Sequence, residues 1–454
     1  MNIPGPEPHP DGGAGAIARA GGLHAYQLWL HAEFGPVVRF QLPGAETAVS
    51  IADPVLLEAT VHLDERPERL FSFLDPLFEA GNLQVLPAEE HAPWRRLLLT
   101  VLAGRPSHER HFARFTALAT ELADRWAALP ADEPVELQRE LTGLSLRMIC
   151  AYALGGEAED PDGTVEAFET VLTDHLGRLY QVPEAEAPGA EARAQRAERT
   201  AAALARLRAT VDRVIAAHRP GLPAGPDDRS DRSDLIGALV EAGQSPARIR
   251  DTVLATMLAA HHTTGVAVSW TLHLLGGHPE AAERVTEELD RVLADRAAPD
   301  YADLPRLPYL EMVLRESLRR CPPGPYGARR TTGPLTVGGY RVPAGAVVFY
   351  PIQAVHLNPA YWPNPELFRP ERFTPEESAG RPRLAWIPFG LGPRSCEGAG
   401  LAVLEARLLL AVLLKRFRFR PEPGHRVVPV ERFVLRAADD IRMLVDARTP
   451  DGAP

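Results

Sequence analysis

The stretch ARIRDTVLATMLAAHHTTGVAVSWTLHLLGGHPEAAERV, which starts at Ala247, limits what this chain can fold into more than any other. It keeps helical spacing of apolar residues for about 25 positions, which at 1.5 Å per residue is roughly 38 Å. Its length predicts a helix that crosses the whole molecule. Four polar residues, His261, His262, Thr263 and Thr264, interrupt the apolar run in its middle.

The rest of the chain supplies material to surround such a helix. Of 454 residues, 45% are hydrophobic and 24% charged, enough for a large globular core. HAPWRRLLLTVLAG, HFARFTALATELADRWAAL and LTGLSLRMICAYALGG carry the i, i+3, i+4, i+7 spacing of amphipathic helices, and PYLEMVLRESLRRCPPGP is a helix stopped by paired prolines. Short runs such as VVRFQL and AVSIAD predict a small sheet near the N-terminus, and LTVGGYRVPAGAVVFYPI a hairpin-like region. Segment 183–192 reads as a loop and 219–234 as a mobile connector. The expected fold class is mainly α with a minor β part, as one domain over 1–454. It divides into a β-rich N-terminal part (about 35–85), a helical body (about 89–325), a β and turn region (about 326–400), and a final helix with strands (about 401–447).

The formal net charge of −11 argues against a nucleic-acid partner. The N-terminal sequence carries neither a targeting pattern nor roughly 18 consecutive apolar residues, so no membrane anchor is expected. Three cysteines without regular spacing suit a reducing cytoplasm. Lys415 is the single lysine; arginine, alanine and proline dominate, as in chains from GC-rich bacterial genomes.

The chemistry concentrates in FGLGPRSCEGAG, residues 389–400. Gly390, Gly392, Gly398 and Gly400 let the backbone take φ > 0 and approach a flat ligand closely. Cys396 stands alone at the start of a long apolar helix, where the helix N-terminus is expected to lower its pKa. A thiolate there could be a nucleophile or a metal ligand. No histidine lies nearby in sequence to serve as its base, and a buried structural cysteine would need none of Phe389, Gly392, Arg394 and Gly398.

The pattern Phe389-x-x-Gly392-x-Arg394-x-Cys396-x-Gly398 resembles the haem-binding loop of the cytochrome P450 family. ESLR, from Glu316 to Arg319 and followed by Pro322 and Pro323, is similar to that family's ExxR helix. FRPERF, ending at Phe373, is similar to its PERF segment, and AAHHTTG to the centre of its oxygen-activating helix. The resemblance implies a haem b held noncovalently, with Cys396 as axial thiolate and metal ligand. It implies propionate contacts from His91, Arg95, Arg394 and Arg329, with Arg330 as rival to the last. It also implies a buried network of Glu316, Arg319 and Arg372 bracing the cysteine loop. No CxxCH is present for covalent attachment.

The long helix departs from the family's usual pattern. His262 replaces the relay carboxylate and Ala260 the glycine beside the oxygen groove, while Thr263 keeps the alcohol, with Thr264 following. Histidine titrates near neutrality, so His262 with Thr263 and Thr264 could still relay protons, in a version that resembles the sterol 14-demethylases. Zinc held by His261 and His262 is the alternative, but adjacent helical residues point about 100° apart. Ordinary core histidines are the other reading.

The resemblance further implies an apolar pocket. Its expected walls are Phe71, Phe73, Leu74, Leu77 and Phe78 in the loop over the haem, Phe168, Leu172 and Leu176 on a mid-chain helix, then Ala259, Tyr326 and Phe433; core packing is the competing role for each. The expected activity is oxygen insertion from O2 into an apolar small molecule, a bacterial secondary metabolite such as a terpenoid or polyketide. Oxidative coupling, cyclisation or desaturation on the same scaffold, or a non-catalytic haem protein, are the rivals. Electrons would come from a separate ferredoxin and its reductase. A basic face of Arg95, Arg96, Arg105, Arg110, Arg114, Lys415, Arg416, Arg418 and Arg420 would dock that partner. The protein is expected to be a cytoplasmic monomer.

Overall fold

A computed structural model describes residues 2–42, 48–130, 132–154, 160–179, 189–217 and 235–448. The long periodic segment forms one helix, Pro246–Gly276. Pro246 occupies its first turn, and the Ser245 hydroxyl caps it by accepting from the Arg248 amide at 3.2 Å. Ile249, Val253, Met257, Val266, Val268, Leu272 and Leu275 are buried on several faces, so the helix runs through the core rather than over it.

Its tightest neighbour is helix Leu137–Ala153. At the crossing, a Cβ on Gly265 would lie 2.6 Å from backbone atoms of Leu141 and Thr142. Only glycine lets these two helices approach so closely. Helices Arg105–Ala127, Pro308–Arg320 and Ala399–Arg416 complete the packing, and their leucines, valines and phenylalanines merge into one large core.

The β structure is peripheral and assembled from distant segments. Strands Val37–Phe40, Ala48–Ile51, Val347–Pro351 and Tyr326–Arg330 form one sheet in that order. The pairing of Ala48–Ile51 with Val347–Pro351 is parallel, and the other two pairings are antiparallel. The N-terminal strands are thus half of a sheet finished some 300 residues later in the chain. Strands Leu335–Val337 and Tyr340–Val342 form a hairpin whose two turn residues, Gly338 and Gly339, take φ 56° and 82°.

Two expectations need correction. Segment 35–85 is β only as far as Ile51; beyond it the described chain runs through short helices, among them Pro54–Leu57 and Ser72–Leu77, because prolines and aspartates break any alternation. Helix Ala190–Ala217 begins inside the expected loop 183–192. Residues 183–188 of that loop, and all of the expected connector 219–234, lie outside the described residues.

Candidate functional site

The cysteine loop is held by its own backbone. The Phe389 carbonyl accepts from the Cys396 amide at 2.8 Å and the Gly392 carbonyl from the Ser395 amide at 3.1 Å. Gly392 takes φ 66°, and a Cβ there would stand 2.2 Å from the Val61 carbonyl oxygen. Gly398 caps helix Ala399–Arg416, yet a Cβ on it would meet nothing within 4 Å. The protein itself therefore requires Gly392, whereas Gly398 leaves room beside the cysteine for something else.

Cys396 carries accessible surface, although protein surrounds it closely enough that burial pushes its thiol up to about 11. These facts agree if the sulfur borders an internal space. The Glu397 carboxylate also raises the thiol, while the Gly398 amide, Arg95 and Arg66 lower it. For the free thiol, then, the expected lowering by the helix N-terminus is outweighed by desolvation. A metal cation on the sulfur would reverse that balance.

Around this space gather four arginines. Arg394 pairs with Asp64 and donates from Nε to the Asp64 carbonyl at 2.9 Å. Arg329 is buried and donates to the carbonyls of Ala328 at 2.8 Å and Leu391 at 3.1 Å, while its rival Arg330 is exposed. Arg95 donates to the Ser395 carbonyl at 2.6 Å and the Ser395 hydroxyl at 3.0 Å, and pairs with Glu397. Arg66 donates to the Arg394 carbonyl at 3.2 Å. His91 is buried, with its ring nitrogens 3.6 Å from Glu397 and 3.9 Å from Asp64.

Four guanidinium charges face two carboxylates, Asp64 and Glu397, which leaves two positive charges unmatched. Arg66 Nε, Arg329 Nε and a terminal nitrogen of Arg394 are buried with no hydrogen-bond partner among the described residues. Buried donors without acceptors are costly. A flat ligand with two carboxylates would satisfy both the charge and the donors, so these residues fit a haem and its propionates.

The brace beneath the loop is fully buried. Arg319 clasps Glu316 through two hydrogen bonds of 2.8 Å and donates to the His356 carbonyl at 2.9 Å. Arg372 Nε lies 3.4 Å from Glu316, and its terminal nitrogens donate to the carbonyls of Pro363 at 2.6 Å and Asn364 at 2.7 Å. His356 extends the network: one ring nitrogen lies 3.2 Å from the Arg319 carbonyl, and the other accepts from the Ile387 amide at 2.8 Å. Ile387 stands two residues before Phe389, which is how the brace reaches the cysteine loop. No local signal in the sequence marks His356.

On the central helix the Thr263 hydroxyl donates to the Ala259 carbonyl at 2.8 Å. Ala259 is exposed and Ala260 half-buried although the helix around them is deeply buried, so this turn borders open space. The Ala260 carbonyl accepts from the Ser145 hydroxyl at 2.9 Å. His262 does not titrate near neutrality as expected: burial, then His261 and Arg436, push it down to about 2. It stays neutral, and its Nδ1 is buried without a partner among the described residues. The rings of His261 and His262 lie with centroids 4.0 Å apart, tilted by 33°, and a carboxylate oxygen of Glu169 lies 3.7 Å from His261. Among the described residues no group of three His, Cys, Asp or Glu is placed to hold a metal ion.

Thr264 is buried beside Glu405 of the C-terminal helix, one of whose carboxyl oxygens is buried without a hydrogen-bond partner among the described residues. Burial pushes Glu405 up to about 8, against the smaller opposing effect of the Thr264 hydroxyl. The folded state therefore holds a proton here that the unfolded chain gives up between about pH 4.5 and 8. The sign is that Glu405 makes the protein less stable as pH rises through this window. Glu405→Gln should unfold at nearly the wild-type temperature at pH 5 and well above it at pH 8, the gap being on the order of 4 kcal/mol. Parallel thermal melts at the two pH values check this; a gap independent of pH would contradict it.

Apolar residues close the other side. Leu77, Phe78, Phe168 and Leu172 line one crevice with Leu254 and Leu258 of the central helix. The loop carrying Leu77 and Phe78 is tied down by the buried Asp251 carboxylate, which accepts from the amides of Glu79 at 2.9 Å and Ala80 at 2.6 Å. Phe73 meets Phe433 edge-on at 6.5 Å, and Phe433 takes φ 67° at a tight bend between two strands. Other expected wall residues go elsewhere. Phe71 packs under Arg66 at 5.1 Å, Leu74 is buried in the main core, and Tyr326 bonds Glu431 at 2.5 Å and packs on Phe349. The side chain of Leu176 lies outside the described residues.

The expected basic face is weaker than the sequence suggests. Lys415 pairs with Asp290 at 2.7 Å, Arg416 with Asp124 at 2.6 Å, Arg420 with Asp446 at 2.5 Å and Arg105 with Glu109 at 2.8 Å, while Arg95 turns inward.

A lone cysteine bordering an internal space, two unmatched positive charges beside it among the described residues and a polar break in the central helix together fit a haem-thiolate protein. Comparison with known proteins agrees: the model of the family described as Cytochrome P450 matches residues 3–445, and the chain belongs to that family of monooxygenases. It is 31% identical to cyclooctatin synthase of Streptomyces melanosporofaciens over 367 residues, 79% of this chain and 77% of the relative. To cyclooctat-9-en-7-ol 5-monooxygenase of the same organism it is 37% identical over 227 residues, 48% of each chain. To human cytochrome P450 4V2 it is 39% identical over 206 residues, 45% of this chain and 39% of the relative. Among the described residues no helix is long and apolar enough to cross a membrane.

Proposed function

We propose that this chain is a single-domain monooxygenase, cytoplasmic and monomeric, that hydroxylates or epoxidises an apolar bacterial metabolite of terpenoid or polyketide type. The observation that bears on the substrate class is the apolar lining formed by Leu77, Phe78, Phe168 and Leu172 with Leu254 and Leu258 of the central helix, which is closely packed as it stands and would have to part to admit a substrate beside Thr263 on that helix. A name among the relatives, cyclooctat-9-en-7-ol 5-monooxygenase, describes oxidation of an unsaturated alcohol, which is the polarity such a crevice would admit.

Cys396 would ligate the iron of haem b, Phe389, Gly392 and Gly398 would shape the loop on its face, and His91, Arg95, Arg329 and Arg394 would hold the propionates. When bound, this group reduces O2 with two electrons and two protons, leaving one oxygen atom in the substrate and releasing the other as water. Thr263 would swing its hydroxyl from the Ala259 carbonyl into the adjoining space to donate there, with Ala260 leaving room beside it. His262, neutral at working pH, would accept at one ring nitrogen and donate at the other. Thr264, packed beside Glu405, would position this turn. Electrons would arrive from a ferredoxin and its reductase, docking where Arg96, Arg114 and Arg418 lie. The cations already paired with acids would add little there.

The test is turnover of a panel of cyclic terpenoids and polyketides with O2 and a surrogate ferredoxin system, read by product mass. A gain of one oxygen atom is expected; a loss of two hydrogens without oxygen gain would favour coupling or desaturation. Conversion restricted to charged substrates would overturn the assignment of an apolar pocket.

A further inference from the structure

We propose that Asp251 is a positioning residue that fixes one wall of the substrate pocket in advance, an inference that rests on reading the apolar lining around Leu77, Phe78, Leu254 and Leu258 as that pocket. Leu77 and Phe78 belong to a loop that closes on itself. Asn82 donates from its side chain to the Phe71 carbonyl at 2.8 Å and to Asp75 at 2.9 Å, so residues 71–82 form one closed unit. The central helix places that unit. Both oxygens of the buried Asp251 carboxylate accept from the Glu79 amide, at 2.9 and 3.1 Å, and one of them accepts from the Ala80 amide at 2.6 Å. Glu79 directly follows Phe78 in the chain, and Leu254 and Leu258 stand about one and two turns beyond Asp251 on its helix. The clasp therefore lies immediately outside the lining.

Two kinds of tie reach this loop, and they differ in strength. Arg250 donates to the Glu79 carboxylate at 2.7 and 3.2 Å and to Asp212 of helix Ala190–Ala217 at 2.5 Å, while Arg208 of that helix lies 3.0 Å from Glu79. These side chains are 18 to 48% exposed, and ion pairs in water hold little. Asp251 is 1% exposed, and its bonds are charge-assisted; breaking them leaves a carboxylate stranded in the core. The imidazole of His175 adds a contact to the Phe73 carbonyl nearer the start of the loop. When the lining parts for a substrate, the exposed ties yield first, and Leu77 and Phe78 stay on the central helix. A wall ordered beforehand costs the ligand no ordering, so Asp251 contributes to the affinity for apolar groups without touching them.

The experiment uses two probes that ligate haem through the same ring nitrogen, N-methylimidazole and N-octylimidazole. Their dissociation constants are read from the Soret shift of the holoprotein for wild type, Asp251→Ala, Asp251→Asn and the exposed control Asp212→Asn. In wild type the octyl chain should tighten binding, and Asp251→Ala should lose about tenfold of that gain. Asp251→Asn, which keeps one acceptor oxygen, should fall between, and Asp212→Asn should match wild type. Affinity for N-methylimidazole and the reduced carbon monoxide spectrum should be the same in all four, which separates the wall from the haem site. An undiminished octyl gain in folded Asp251→Ala would overturn the assignment. Should neither Asp251 variant fold, hydrogen exchange of the wild-type holoprotein decides: the Glu79 and Ala80 amides should exchange far more slowly than exposed loop amides, and equal rates would overturn it. Wild-type protein that binds both probes equally would overturn the apolar reading of the pocket, and this assignment with it.

Discussion

Replacing Arg319 by alanine is expected to leave little or no soluble protein that carries haem. The side chain has no solvent exposure and clasps Glu316 with two hydrogen bonds, so its removal leaves the buried carboxylate with only the Arg369 amide bond at 2.9 Å and the Arg372 charge 3.4 Å away. Breaking one member of such a buried pair costs about 3 to 5 kcal/mol. That is a large share of the roughly 5 to 15 kcal/mol that holds a domain folded. Damage should also spread along a defined path, because Arg319 holds the His356 carbonyl and the His356 ring holds the amide of Ile387, just before the cysteine loop. Arg319→Lys should not rescue, since lysine cannot reproduce the forked pair and the bond to His356 at once. Yield of soluble protein and haem content per chain measure the effect; a haem-replete Arg319→Ala protein would contradict it.

The second large effect is expected at Thr263, and it should be chemical rather than structural. Its hydroxyl bonds only the carbonyl of Ala259 within its own helix, so Thr263→Ala leaves no other group unsatisfied beyond that carbonyl. Folding and the carbon monoxide spectrum should persist. Product formation should fall about a hundredfold, the usual effect of removing a positioned proton-transfer group. Electrons should go instead to hydrogen peroxide, and Thr263→Ser should restore most of the product. Equal loss in alanine and serine variants, without extra peroxide, would point to packing instead of proton delivery.

Much of this site is visible in the sequence because its chemistry needs fixed spacings within short segments. Glu316 and Arg319 are one helical turn apart, and Gly392 to Gly398 build a single loop around Cys396. What stays hidden is created by contacts between distant segments. Arg66 stands in a short polar run with no periodicity; its contact with the cysteine loop emerges only where strand Tyr326–Arg330 and that loop meet its segment. His356 and Asp251 are hidden for the same reason, each bonding a segment that the sequence gives no cause to pair with it, and so is Glu405, which lies beside Thr264 of the central helix. Titration behaviour is equally non-local. Position in sequence suggests a lowered thiol at Cys396 and an ordinary imidazole at His262, and desolvation reverses the first and overwhelms the second. The sheet shows the limit for the fold: the strand runs at Ala48–Ile51 and Val347–Pro351 are both legible, while their parallel pairing is not.

One measurement bears on the central claim most directly: the absorption spectrum of the purified, haem-reconstituted protein, reduced and exposed to carbon monoxide, beside Cys396→Ser. A thiolate opposite carbon monoxide moves the Soret band far to the red, and the wild-type protein is expected to show that band while Cys396→Ser does not. A folded, haem-replete wild type without the red-shifted band, or a Cys396→Ser variant that keeps it, would contradict Cys396 as the axial ligand.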